Sequence, residues 1–239
     1  MSESARNLLG PPPSGAVRWT LGKLLQWAMR AVRLNHYDDY RVENVHGVRL
    51  LVLPSVSNPK LLRTGGFFAK CLDESVTAGR DVLDMGTGSG VCALFAARHA
   101  RRVVAVDINR AAVRCAGINA AINHLEHRVD IRQGDLFEPV TGERFDLVLF
   151  NPPFLLGTPR DARDAAWRSS DVAARFAASL DAHLAPSGAA LLLLSTFGDA
   201  CEVFIDELRS RDFLLAVYAR RYFINETVTL LRVTRSADL

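Results

Sequence analysis

Residues 81–90 read Asp-Val-Leu-Asp-Met-Gly-Thr-Gly-Ser-Gly, a short apolar strand that runs into three alternating glycines and then into a helix-like stretch. Few architectures accommodate that order. Glycine reaches positive φ without a steric penalty and leaves bare backbone against which a ligand can press. The unpaired amides at the start of the following helix favour a negatively charged group. Asp107 closes the next apolar run, 21 positions after Gly86. A carboxylate at that point can accept hydrogen bonds from both hydroxyls of a ribose. The segment therefore reads as the first strand, turn, helix and second strand of a nucleoside-binding sheet.

The rest of the chain continues the alternation. Strands are predicted at 81–85, 103–107, 128–132, 145–150, 189–194, 214–219 and 227–234, and helices near 89–99, 109–123, 169–184 and 198–210. Strands alternating with helices imply an α/β fold: a Rossmann-like, doubly wound, seven-stranded sheet covered on both faces. The last two strands have no helix between them, so one of them is expected to be antiparallel. Upstream, residues 1–15 read as a loose tail with Pro11-Pro12-Pro13. Val17 to Leu34 has an apolar stripe at helical spacing with basic residues around it. Val45 to Leu53 reads as extended with a turn at His46-Gly47, and Thr64 as the N-cap of a helix from Gly65 to about Ala78. Residues 1–60 are expected to form a tail, helix and extended cap, and 61–239 the catalytic domain.

Composition narrows the function classes. A net charge of +3 permits an acidic ligand or nucleic acid without arguing for either. No apolar run approaches the roughly 20 residues that span a bilayer, and the N-terminus does not read as a signal peptide. The four cysteines (Cys71, Cys92, Cys115, Cys201) are dispersed, which suits buried thiols in a reducing cytoplasmic setting. His124 and His127 have no cysteine cluster beside them, so no metal site is expected.

A second motif lies downstream. Phe145-Asp-Leu-Val-Leu-Phe150 is a buried-strand run that ends in Asn151-Pro152-Pro153-Phe154. The prolines fix φ and stiffen the tip. Asn151 and Pro152 can present a carboxamide oxygen and a backbone carbonyl to the two N–H groups of a planar amine, and Phe154 can stack on its flat face. The glycine loop and Asp107 alone do not separate a nicotinamide dinucleotide from S-adenosyl-L-methionine. The spacing Gly86-x-Gly88-x-Gly90 does not meet Gly-x-Gly-x-x-Gly, since position 91 is Val. Asp84 could bind the ammonium of a methionine moiety but would repel a pyrophosphate. Asp135, in Gly134-Asp135-Leu136-Phe137, could accept from an exocyclic adenine amine, with Leu136 or Phe137 against the ring.

In sequence order these residues resemble the class I S-adenosylmethionine-dependent methyltransferases, and Asn-Pro-Pro-Phe resembles the HemK-like branch that methylates planar nitrogens. The resemblance covers roughly residues 45–234. It implies S-adenosyl-L-methionine as donor, S-adenosyl-L-homocysteine as product, and donor contacts from Thr64, Asp84, Gly86, Thr87, Gly88, Gly90, Asp107, Ile108, Asp135, Leu136 and Asn151. Catalytic roles fall to Asn151 and Pro152, and substrate contacts to Pro153, Phe154 and Trp167. Residues 155–170 follow the catalytic tip and could form a substrate lid. Three acceptors stay open: a protein glutamine, a small molecule of specialised metabolism, and an RNA or DNA base amine. The short stretch before Val45, compared with the helical bundle of release-factor enzymes, favours the small molecule over the protein. The pI of 8.8 gives slight support to nucleic acid.

Overall fold

The computed structural model describes residues 3–10, 39–160, 164–224 and 226–236. The expected helix at 17–34 and the proline run at 11–13 lie outside them. Residues 3–9, expected as tail, form helix α1 (Glu3–Leu9). Ala5 and Leu9 are buried, and the Arg220 guanidinium donates to the Leu8 carbonyl at 2.6 Å. A helix this short has little stability of its own. Its apolar side chains and the Arg220 bond to its C-terminal end tie it to the sheet.

The core is a seven-stranded sheet built from β3 (Asp81–Met85), β4 (Arg102–Asp107), β5 (Val129–Gln133), β6 (Phe145–Phe150), β9 (Leu184–Ser195), β10 (Phe213–Tyr222) and β11 (Thr227–Arg235). Their spatial order is β10-β11-β9-β6-β3-β4-β5. The five strands from β9 to β5 are parallel to one another, and β11 runs antiparallel between β9 and β10. Strand order reverses beside β3, so the carboxyl ends of β3 and β6 flank the crevice where open α/β sheets bind ligands.

The central strands β9, β6, β3 and β4 bury both faces, whereas the edge strands β5 and β10 are largely half-buried or exposed. Along β6, Leu147 and Leu149 join one apolar cluster, while Val148 and Phe150 join the other. The first cluster takes in helices α3 (Thr64–Lys70) and α5 (Val91–Ala96) and the hairpin of β1 (Arg41–Val45) and β2 (Val48–Val52). The second takes in α1, α7 (Val172–His183) and α8 (Cys201–Arg209). Phe150 packs on Phe176 with ring centroids 4.8 Å apart, which fixes the strand whose end carries Asn151. Helix α6 (Arg110–Ile122) crosses from β4 to β5 and holds β2, through Asn119, whose amide oxygen accepts from Leu51 N and whose NH2 donates to Leu51 O.

Two local expectations are corrected. The helix expected over 65–78 is split: α3 ends at Lys70, and Asp73 caps a separate turn, α4 (Glu74–Thr77), by accepting from Val76 N. Thr64 is not an N-cap. Arg63, at φ 59°, holds that position between α2 (Pro59–Leu62) and α3, and Thr64 lies in the first turn. The kink at Arg63 leaves the Thr64 hydroxyl free of the capping bond expected of it.

Candidate functional site

The glycine loop takes the shape its composition requires. Gly86, Gly88 and Gly90 have φ of 64°, 57° and 82°, a region where a Cβ would be strained. Asp84 pins the loop from within: its Oδ2 accepts from Thr87 Oγ1 at 2.6 Å and from Ala93 N at 3.0 Å. Burial, opposed by those two bonds, raises the Asp84 pKa to about 7. At Gly90 a Cβ would meet Ala116 at 3.1 Å, so this glycine lets α5 approach α6.

Asp107 is the hinge between loop and cavity. Its Oδ2 accepts from Gly88 N at 2.9 Å and its Oδ1 from Asn109 N at 2.8 Å. Each oxygen keeps a lone pair for a further donor. Burial pushes its pKa up, against the pull of these two amides.

A cavity of about 300 Å³ opens at the carboxyl ends of β3, β4, β5 and β6. Gly86, Gly88, Asp107, Ile108, Asp135, Leu136, Asn151, Pro152, Pro153, Phe154, Thr64 and Trp167 all line it. Asp84, Thr87 and Gly90 do not. Donor contact is expected of these three; in the structure Asp84 and Thr87 bond to each other and hold the loop, and Gly90 admits the approach of α5 to α6. Phe154, expected to stack on substrate, is only 9% exposed and belongs to the core cluster below the cavity.

Two buried oxygens on this wall, Thr64 Oγ1 and Asn151 Oδ1, make no hydrogen bond among the described residues. Buried polar atoms are nearly always paired, so an unpaired pair on one cavity points to a ligand that supplies donors. The cavity also has bare glycine backbone and the Asp107 carboxylate. This donor and acceptor set fits S-adenosyl-L-methionine, with hydroxyls at Asp107 and an amine at Asp135, and leaves the Asn151 oxygen to accept from N–H groups of a second ligand.

The segment after the tip is built rather than loose. β7 (Leu155–Leu156) pairs in parallel with β8 (Arg168–Ser169), and the Arg168 guanidinium donates to the Leu156 carbonyl at 2.7 Å. Asp164 pairs with Arg160 and Arg168. Pro159, Trp167 and Ser169 thereby line the cavity. Residues 161–163 of the expected lid lie outside the described residues.

The sequence reading missed several residues. Arg175 of α7 lines the cavity and pairs with Asp135 at 2.6 Å. A Cβ at Gly198 would overlap the Phe154 carbonyl oxygen, and Ala200 N donates to that same oxygen. Ser55, Val56 and Ser57, after β2, supply another part of the wall. None of these belongs to a motif, and Gly198 would have needed the fold to be recognised as a close approach.

The model of the methyltransferase small domain family matches residues 51–213. The chain belongs to this family. It is a methyltransferase of the class I, S-adenosylmethionine-dependent fold. Its relatives include a putative protein N5-glutamine methyltransferase of Methanocaldococcus jannaschii, 31% identical over 186 residues, covering 74% of this chain and 90% of that protein. The ribosomal protein uL3 glutamine methyltransferase of Bradyrhizobium diazoefficiens is 35% identical over 134 residues, covering 50% of this chain but 42% of its own length. Among solved structures, the 16S rRNA N2 G1207 methyltransferase of T. thermophilus shares the fold, with TM-score 0.59 and 23% identity over 82% of this chain and 50% of that one.

Proposed function

We propose that this methyltransferase transfers a methyl group from S-adenosyl-L-methionine to the side-chain nitrogen of a protein glutamine. The observation that carries the reading is Asn151 Oδ1, buried and unpaired at the tip of β6, in the cavity that holds the glycine loop and Asp107. A primary carboxamide offers two N–H donors on one planar nitrogen. Its lone pair is delocalised, so it attacks poorly unless acceptors at both N–H groups take up the positive charge that develops. Asn151 Oδ1 and the Pro152 carbonyl provide such acceptors on a strand end that the prolines keep rigid. S-adenosyl-L-methionine, when bound, supplies the electrophilic methyl group. Asp107, Asp135 and the glycine backbone hold it; Asn151 aligns the nitrogen for in-line displacement. No strong base is required, because the proton can pass to water after transfer. The names of the two glutamine-modifying relatives favour a protein glutamine among planar nitrogens.

The test uses methyl-labelled donor with fractionated cell extract and with glutamine-containing peptides. Label in protein, released on hydrolysis as N5-methylglutamine, is the expected result. Label in RNA or in small molecules would replace this acceptor with a base amine or a metabolite. Asn151→Ala should retain affinity for S-adenosyl-L-homocysteine by calorimetry and lose about 10²- to 10³-fold in turnover. Unchanged turnover would remove Asn151 from the reaction.

A further inference from the structure

Arg175 enters the donor cavity from α7 and belongs to no motif. Its Nη2 donates to Asp135 Oδ2 at 2.6 Å, and its Nη1 lies 3.6 Å from Asp171 Oδ2. Glu138 acts on the same guanidinium through space. Two carboxylates thus meet one cation, and a third acts on it from farther away. Without it they would repel one another, and Asp135, whose side chain is 29% exposed, could turn towards water.

The backbone beneath Asp135 is already fixed. A Cβ on Gly134 would overlap the Pro139 ring, so only glycine permits that turn, and Leu136 is held at φ 50°. What remains free is the Asp135 side-chain torsion, and Arg175 is the group that sets it. With Oδ2 engaged by the guanidinium, Oδ1 is left to accept from a ligand. An ionised carboxylate accepts hydrogen bonds and donates none. Held in one orientation, it therefore favours a purine with a 6-amino group over one with a 6-oxo group.

We propose that Arg175 is a positioning residue for base selection: by holding Asp135 Oδ2 it fixes Oδ1 as the acceptor that distinguishes adenine from hypoxanthine in the donor. The inference rests on the donor reading given above and adds the residue that makes Asp135 selective. Arg175 acts through Asp135 and need not touch the reacting atoms.

The experiment compares two probes, S-adenosyl-L-homocysteine and its 6-oxo counterpart S-inosyl-L-homocysteine, by calorimetry on the full chain and on Arg175→Met, Arg175→Lys and Asp135→Asn. Wild type should prefer the adenosyl probe by roughly tenfold or more. Arg175→Met should weaken the adenosyl probe about five- to tenfold and the inosyl probe less than about twofold, so that the preference collapses. Arg175→Lys should restore part of the preference, because a single ammonium can still pair with Asp135. Asp135→Asn, which can offer an N–H to a 6-oxo group, should narrow the preference even with Arg175 present. The ratio of the two constants is independent of the folded fraction, so a destabilised variant still reports. Equal weakening of both probes in Arg175→Met, or an unchanged ratio, would overturn the role of Arg175 while leaving the donor reading intact. Failure of wild type to bind either probe would remove the donor reading and this inference together.

Discussion

At the scale of single residues, the site separates groups that meet the cavity from groups that shape it, and the sequence could not make that separation. Asp84 and Asp107 both lie at strand ends beside the glycines, and both read as ligand contacts. Asp107 lines the cavity with a spare lone pair on each oxygen; Asp84 is turned inward onto Thr87 and Ala93. The inward turn has a pH consequence. Burial raises the folded-state pKa of Asp84 to about 7, whereas an unfolded aspartate titrates near 3.9. Between those values the folded protein keeps a proton that the unfolded chain has lost. Stability therefore falls as pH rises through that window, and the penalty is complete above about pH 7. Asp107, also raised by burial, adds in the same direction. Asp84→Asn keeps an oxygen for Thr87 and Ala93 and removes the charge. It should be more stable than wild type at pH 8, by an amount on the order of a few kcal/mol, and equal to it near pH 4. Urea denaturation at a series of pH values measures this; a pH-independent difference between the two proteins would show that Asp84 is ionised without penalty in the fold.

At the scale of elements, what the sequence disclosed and what it hid follow from how each segment is stabilised. The strands β3, β4 and β6 are buried on both faces, so each appears as a short, mostly apolar run, while the edge strand β5 alternates apolar and polar residues, and the helices between them carry their own period. Their placement was legible within a few residues. The strap formed by β7 and β8 was not. It is two residues against two, held by backbone pairing and by Arg168 on the Leu156 carbonyl, and neither interaction leaves a pattern in the sequence. Helix α1 was hidden for a similar reason: Ala5, Leu9 and Arg220 meet only once the sheet exists. Gly198 shows the same dependence on tertiary structure and yields a prediction. It sits in the turn after β9, pressed against the backbone carbonyl of Phe154, so a methyl group there must push the Asn-Pro-Pro-Phe tip or the turn aside. A displacement of about 1 Å at a reacting group can cost about 10²-fold in rate. Gly198→Ala should lower turnover by roughly that factor while leaving affinity for S-adenosyl-L-homocysteine close to wild type, since the contacts a methyl group would make at Gly198 are with Phe154 and not with the glycine loop or Asp107. Comparable losses in affinity and turnover would mean that the turn supports the whole cavity rather than the tip.

At the scale of the whole molecule, the carboxyl edge of the sheet is an electrostatic filter for its donor. A helix N-terminus behind a glycine loop would ordinarily welcome a pyrophosphate. Here Asp84, buried at the end of β3, and Asp107, part-buried at the end of β4, stand beside that loop, and Asp135 follows β5. An anionic dinucleotide would meet two acids on the cavity wall, Asp107 and Asp135, with a third buried beneath the glycine loop, whereas a nucleoside with hydroxyl and amine donors meets two acceptors. The fold alone does not make this choice, because the same sheet serves both ligand classes; the acids at its edge do. Ligand-linked stability turns the argument into a measurement. A ligand that binds only the folded state at 100 times its Kd contributes about 2.7 kcal/mol. For a chain of this size that corresponds to a Tm increase of roughly 5–10 °C. S-adenosyl-L-homocysteine should produce such a shift, and nicotinamide adenine dinucleotide at the same concentration should produce almost none. Raising the salt concentration should leave the first shift nearly unchanged, because the Asp107 contact is buried and poorly screened. A dinucleotide shift equal to that of S-adenosyl-L-homocysteine would mean that the three acids do not set donor choice.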